Sequence, residues 1–244
     1  MEKLYGPHAP HAGADTGRSG GKESVTVLIQ QSDVLHGATD LRNLWTSIRS
    51  CLQDYIGQDS LNGRYARLIA HHSRQFINAV QNLPNYQQHI DKLQSQPRFD
   101  SPWYRYQFAG DGVMQAELIT VFGECPTPIH SYDGLVGVVF VVDGELTLYR
   151  YAEKNNSISD CSAITNLDCQ RVDRYAFSQG TLIDSLSTPV VEMQANTERC
   201  IFFNIHLQDH AEYPHYFYYP SYVSHTIQAR QNGAFFANRI LSEW

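Results

Sequence analysis

The sequence predicts a mainly β protein, an antiparallel sandwich or barrel with helices ahead of it. Three observations predict this. After Pro97, seven short runs rich in Val, Ile, Phe and Tyr follow one another between Gly, Pro, Asp and Asn. Before Pro97, apolar residues recur at helical spacing instead. Between the second and third runs, a polar turn carrying His130 (126–133) leads into the apolar run Leu135–Val142, which closes on Asp143-Gly144, a hairpin signal. An imidazole is thereby expected at the mouth of the sandwich, where small-molecule sites occur.

Taken in order, residues 1–24 are rich in Gly, Ala, His and Pro and read as a disordered leader, with His8 and His11 in a solvated tail. Residues 25–97 form a helical segment expected to pack on the barrel. Its first helix, about 40–56, is capped by Asp40 and carries Leu41, Leu44, Trp45, Ile48, Leu52, Tyr55 and Ile56 on one face before Gly57 stops it. The second helix, about 62–83, has the stripe Leu68, Ile69, His72, Phe76, Ile77 and Val80, and Pro84 ends it. A short third helix is expected near 86–93. Residues 98–208 form the barrel, with strands at 103–108, 113–122, 135–142, 145–151, 181–183, 190–194 and 200–207. Residues 154–175 are polar and read as a long loop. Residues 209–244 form a His- and Tyr-rich extension ending in a strand or a helix near 234–241.

The chain has 244 residues and 42% hydrophobic content, enough for one sizeable core with extensions. The net charge of −7, with no Lys/Arg run, argues against nucleic acid or an anionic membrane as partner. No apolar run is long enough to span a bilayer, and the first 25 residues show no apolar signal core. The five cysteines, Cys51, Cys125, Cys161, Cys169 and Cys200, show no CxxC spacing. An odd count without an export signal points to a reducing, cytoplasmic setting.

Several segments, in order, resemble the cupin superfamily and, within it, thiol dioxygenases of the cysteine dioxygenase type. Thr127-Pro128-Ile129-His130 is similar to the segment leading to that family's first metal histidine, and the spacing from His130 to Gly144 fits. Tyr104-Arg105 looks like the start of the strand whose arginine binds the substrate carboxylate. Asn204-Ile205-His206-Leu207-Gln208 is similar to a Ser-x-His-x-Tyr segment whose histidine belongs to a hydrogen-bond relay. The resemblance covers about residues 40–208 and implies a jelly roll holding ferrous iron, with dioxygen and a small carboxylate-bearing, possibly thiol, substrate.

The ligand positions depart from the family's three histidines. The His-x-His pair reads His130-Ser131-Tyr132. The third position falls on Glu192 in one alignment and on Val191 if the strand shifts by one. The relay's serine and tyrosine become Asn204 and Gln208, and the position of a linked cysteine in some members becomes Gly137. The resemblance therefore implies a metal set of His130, Tyr132 and Glu192, a substrate site of Arg105, Tyr104, Asn204 and Gln208, and catalytic roles for His206 and Tyr132. Iron in such a site needs about three protein donors and open positions. Two functions follow from different classes. One is an iron-dependent oxygenase. The other is a metal-free cupin that binds a small acid or does acid–base chemistry through His130 and Tyr132. The tail residues His210, His215, His225, Tyr213, Tyr216, Tyr218 and Tyr219 are expected at the surface, in subunit packing or as a lid.

Overall fold

The computed structural model describes residues 39–56, 63–96, 103–123, 125–131, 134–154, 164–184, 190–208, 216–220 and 234–241. The expected leader, Tyr132, Asp133, Tyr213, His210, His215 and His225 lie outside the described residues.

Three helices come first: α1 (Thr39–Ile56), α2 (Gly63–Gln81) and α3 (Tyr86–Gln94). They form where the apolar stripes predict them, and the stripes are what they bury. Leu41, Trp45, Ile48, Leu52 and Tyr55 of α1 pack with Ile69, Phe76, Ile77 and Val80 of α2. The Trp45 and Phe76 rings meet at 5.6 Å. His71 is exposed and His72 half-buried, as adjacent helical positions require. Among the described residues no helix is long and apolar enough to cross a membrane.

Eleven strands follow among the described residues: β1 (Trp103–Gly110), β2 (Met114–Phe122), β3 (Ile129–Ser131), β4 (Gly134–Asp143), β5 (Leu146–Lys154), β6 (Ile164–Tyr175), β7 (Gly180–Asp184), β8 (Val190–Ala195), β9 (Arg199–Gln208), β10 (Tyr216–Pro220) and β11 (Ala234–Leu241). The first sheet has the order β1-β2-β9-β4-β7, and β3-β8-β5-β6 are neighbours in the second. Strands β2 to β9 thus wind as two interlocked Greek keys, the jelly roll. The fold class expected from the sequence is the one observed: mainly β, a jelly roll with helices ahead of it.

The two faces of the first sheet bury different things. Ala116, Leu118, Val138, Phe140, Phe203 and Ile205 face the helices. Ile119, Val121, Val139, Val141, Cys200 and Phe202 face the second sheet, where Leu146, Leu148, Val191 and Met193 meet them. This explains why β4 reads as one unbroken apolar run: it is covered on both sides.

Three expectations are corrected. Asp143-Gly144 is a turn but not a hairpin, because β4 pairs with β7 and β9 while β5 pairs with β6 and β8. The turn carries the chain from one sheet to the other. Gly144 has φ +74°, and a Cβ there would meet the Arg199 carbonyl oxygen and Thr197 Oγ1. Second, the expected loop 154–175 contains the twelve-residue strand β6. Only Leu167 along it is buried, so its outer positions stay polar and the alternation is weak. Third, the turn at 126–133 contains strand β3, kept short where Pro126 and Pro128 interrupt the ladder.

The C-terminal extension ends in a strand. The pair β10–β11 joins the free edges of the second sheet, β10 to β3 and β11 to β6, and closes a six-stranded barrel. Its interior holds Ile129, Tyr149, Tyr151, Leu167, Val190, Tyr218, Phe235 and Ala237. The second sheet is therefore a wall shared by two interiors.

Candidate functional site

The inner face of the first sheet changes character along its strands. Register places Trp103 opposite Val121 and Arg105 opposite Ile119, in the apolar half. Two residues further on, Gln107 lies opposite Glu117, Glu117 opposite Asn204, and Asn204 opposite Val139. The next row is Gln115, His206 and Gly137. Alternation puts all of these on the face that carries Ile119, Val139 and Phe202. Gln107, Glu117, Asn204 and His206 are each buried. A polar tract thus crosses β1, β2 and β9 inside the jelly roll, against the usual apolar filling of such an interior.

Arg105 reaches along this face to Glu117. Its Nη2 donates to both carboxylate oxygens, at 2.9 and 3.1 Å. The Glu117 side chain is 7% exposed and that of Arg105 22%. The expected substrate arginine is therefore already paired with a carboxylate of its own chain. Sequence reasoning missed Glu117. The signal was present: a glutamate in phase with Ile119 and Val121 in an otherwise buried strand, with Gln115 two residues before it.

His206 is 2% exposed and faces the same interior. It lies four residues beyond Phe202 on β9, about 13 Å along the strand. His130, 7% exposed, faces the interior from the second sheet, where it pairs with Val191 on one side and Phe217 on the other. Its ring meets Trp103 edge-on at 4.8 Å. The structure thus directs Arg105, His130 and His206 into one inter-sheet space, Arg105 and His130 toward its Trp103 end and His206 further along.

Other expected site residues are elsewhere. Tyr104 alternates with Arg105, so it packs on the helix-facing side, its ring edge-on to Phe122 at 6.1 Å. Glu192 alternates with Val191 and faces the second barrel, where Tyr151 Oη donates to its Oε2 at 2.7 Å. The register that leaves Val191 beside His130 is the one observed. Glu192 and His130 are not brought together, because neighbouring strand positions point to opposite faces. The Gln208 side chain lies outside the described residues.

Glu192 does not share the inner face with His130, and Tyr132 lies outside the described residues. Of the set His130, Tyr132 and Glu192, the described residues bring only His130 to the inner face. Among the described residues no three His, Cys, Asp or Glu side chains gather as a metal-binding group. The Nδ1 of His130 lies 2.8 Å from the Pro128 carbonyl oxygen, which can only accept, so Nδ1 carries a proton.

No family model and no curated protein matches the chain. Solved structures similar to it include the DMSP lyase DddQ from Ruegeria pomeroyi, at 10% identity and TM-score 0.34, over 49% of this chain and 53% of the lyase. A cupin superfamily protein from Desulfitobacterium hafniense is similar at 10% identity and TM-score 0.33, over 47% of this chain and 84% of that one. A cupin-2 domain protein from Shewanella frigidimarina is similar at 16% identity and TM-score 0.32, over 49% and 92%. The jelly roll itself rests on the strand pairings above.

Proposed function

We propose that this chain is a cupin-like protein that takes a small polar molecule into the jelly-roll interior, against Glu117, Asn204 and His206. One observation carries the reading: a buried polar tract crosses three strands on an inner face that is apolar elsewhere. Burying amides and charges costs free energy that an all-apolar face would not, and binding sites are where folds retain that cost. The test is an NMR screen of small acids, amines and amides. Shifts confined to Gln115, Glu117, Asn204 and His206, lost in Asn204→Leu, support it. A folded protein whose interior responds to none of them rejects it.

A second reading, the iron-dependent oxygenase acting with dioxygen on a small carboxylate or thiol, is favoured by the His130 Nδ1–H, which the Pro128 carbonyl oxygen accepts. An Nδ1–H held by a backbone carbonyl is how metal-binding imidazoles are commonly oriented. This reading requires Tyr132 or another donor to join His130. Anaerobic reconstitution with ferrous iron and elemental analysis test it. Stoichiometric iron that His130→Ala abolishes supports it; no retained iron rejects it.

A further inference from the structure

His130 sits on a strand of three residues, and the groups around it come from both interiors. Its side chain points into the jelly roll, while Ile129 and Ser131 on either side alternate toward the second barrel. The imidazole is met by its own backbone, by the first sheet and by β10. Nδ1 donates to the Pro128 oxygen at 2.8 Å, the Trp103 ring stands edge-on at 4.8 Å, and the Phe217 ring lies tilted at 6.4 Å. Backbone pairing joins β10 to β3 at Phe217–His130 and Tyr218–Ile129. One position further along, a side chain continues the seam. The Tyr216 N–H donates to Ser131 Oγ at 2.7 Å, and that hydroxyl lies 3.5 Å from the Tyr216 carbonyl oxygen.

The β10–β11 pair is also fastened from inside the second barrel. Tyr218 of β10 hydrogen-bonds Glu153 of β5. Arg239 of β11 lies 3.6 Å from the same carboxylate and covers the Tyr216 ring at 4.7 Å. Glu153 therefore ties both strands to β5 from the face opposite the jelly-roll interior. We propose that the β10–β11 pair positions His130: the Ser131 hydroxyl and the Glu153 carboxylate hold Phe217 against the imidazole, so the second barrel sets the orientation of a side chain in the first interior. A site side chain is fixed by the packing and hydrogen bonds of the groups behind it, and here those groups lie across the shared wall. Ser131 and Glu153 are positioning residues in this account. The proposal concerns the same interior as the reading above but does not require a ligand there.

The experiment follows the Nδ1 proton of His130 by imidazole proton–nitrogen NMR on the full chain without ligand, the signal being assigned by its loss in His130→Gln. Exchange of that proton with water should accelerate about fivefold in Ser131→Ala, the worth of one net hydrogen bond. Glu153→Ala, a change in the other interior, should accelerate it in the same direction. Ser131→Thr keeps the hydroxyl and should stay within about twofold of the wild type. An unchanged His130 proton in both Ser131→Ala and Glu153→Ala overturns the proposal, even where the amides of β10 and β11 exchange faster, because the seam is then structural alone. Equal acceleration in Ser131→Ala and Ser131→Thr overturns the role of the hydroxyl. A His130 proton that responds as expected in a protein whose interior takes no probe supports the positioning and rejects the ligand reading.

Discussion

The molecule buries a glutamate in each of its two interiors, and the two are held differently. Glu117, inside the jelly roll, faces a guanidinium. Glu192, inside the barrel closed by β10–β11, faces the Tyr151 phenol. The first carboxylate accepts from a guanidinium, the second from a phenol. The interiors also differ in how they are bounded. The jelly roll is enclosed by two sheets, with β2 paired along its whole length to β9. The second barrel is sealed by β10 and β11, and among the described residues β10 meets β3 at Phe217–His130 and Tyr218–Ile129. A long seam makes one interior part of the global fold, and a short seam makes the other a local addition to it.

The largest effect should come from breaking this asymmetry at the two phenylalanines. Phe202 is fully buried between the sheets. Phe202→Ala should cost about 3–5 kcal/mol in urea unfolding, the usual cost for a core phenylalanine. Phe235 is almost as buried, but in the hairpin barrel. Phe235→Ala should cost less, about 2 kcal/mol, because a short seam can close over the space, and amide exchange should accelerate first in β10–β11. Equal costs with uniform exchange would mean that the two interiors unfold as one unit.

A smaller effect separates the two glutamates. Tyr151→Phe removes a hydrogen-bond donor from a carboxylate that is 1% exposed, and should destabilise by about 1–3 kcal/mol. Glu192→Gln keeps an acceptor for the phenol, so it should cost less than Tyr151→Phe. In the other interior Glu117→Gln removes the carboxylate that Arg105 pairs with, and because Arg105 is partly solvated about 1–2 kcal/mol is expected. Denaturant midpoints at neutral pH check all three. A Glu192→Gln cost above that of Glu117→Gln would place the important charge in the second barrel.

How far the sequence could be read follows from where each signal is local. The helices were legible because each stripe is complete within its own element: Leu41, Trp45, Ile48 and Leu52 all lie on α1. Most strands were legible from composition. β6 was not, because its partners β5 and β11 satisfy a backbone whose side chains stay largely in solvent. At the site, His206 and Arg105 were singled out through the family resemblance rather than from local pattern. Glu117 was overlooked although twelve residues from Arg105, since which strands pair, and in which register, is a long-range property. Glu192 turned on a shift of one residue, which inverts every side chain of a strand. Local pattern carries no information on that choice; the pairing of Val191 with His130 decides it.

The finest contrast lies in two tyrosines that both lose stability in alkali. Burial pushes the Tyr106 phenol, in the helix-facing core, up to about 12. Burial pushes Tyr218 of the hairpin higher still, and the negative charge of Glu153, its hydrogen-bond partner, adds to the rise. Both groups therefore hold their protons in the folded state beyond the ordinary tyrosine value near 10. Above that value the unfolded chain releases protons that the folded chain retains, so unfolding is increasingly favoured. Their contribution is complete below about pH 10 and is lost as the pH climbs above it. Tyr218→Phe should lose about 1 kcal/mol at neutral pH with the hydrogen bond to Glu153, yet shift the alkaline midpoint of near-ultraviolet circular dichroism upward relative to that loss. Tyr106→Phe should shift it by less, its phenol being less perturbed. If only Tyr106→Phe moves the midpoint, the hairpin has already opened before its tyrosine titrates, and the seam at β3 is weaker than its pairing implies.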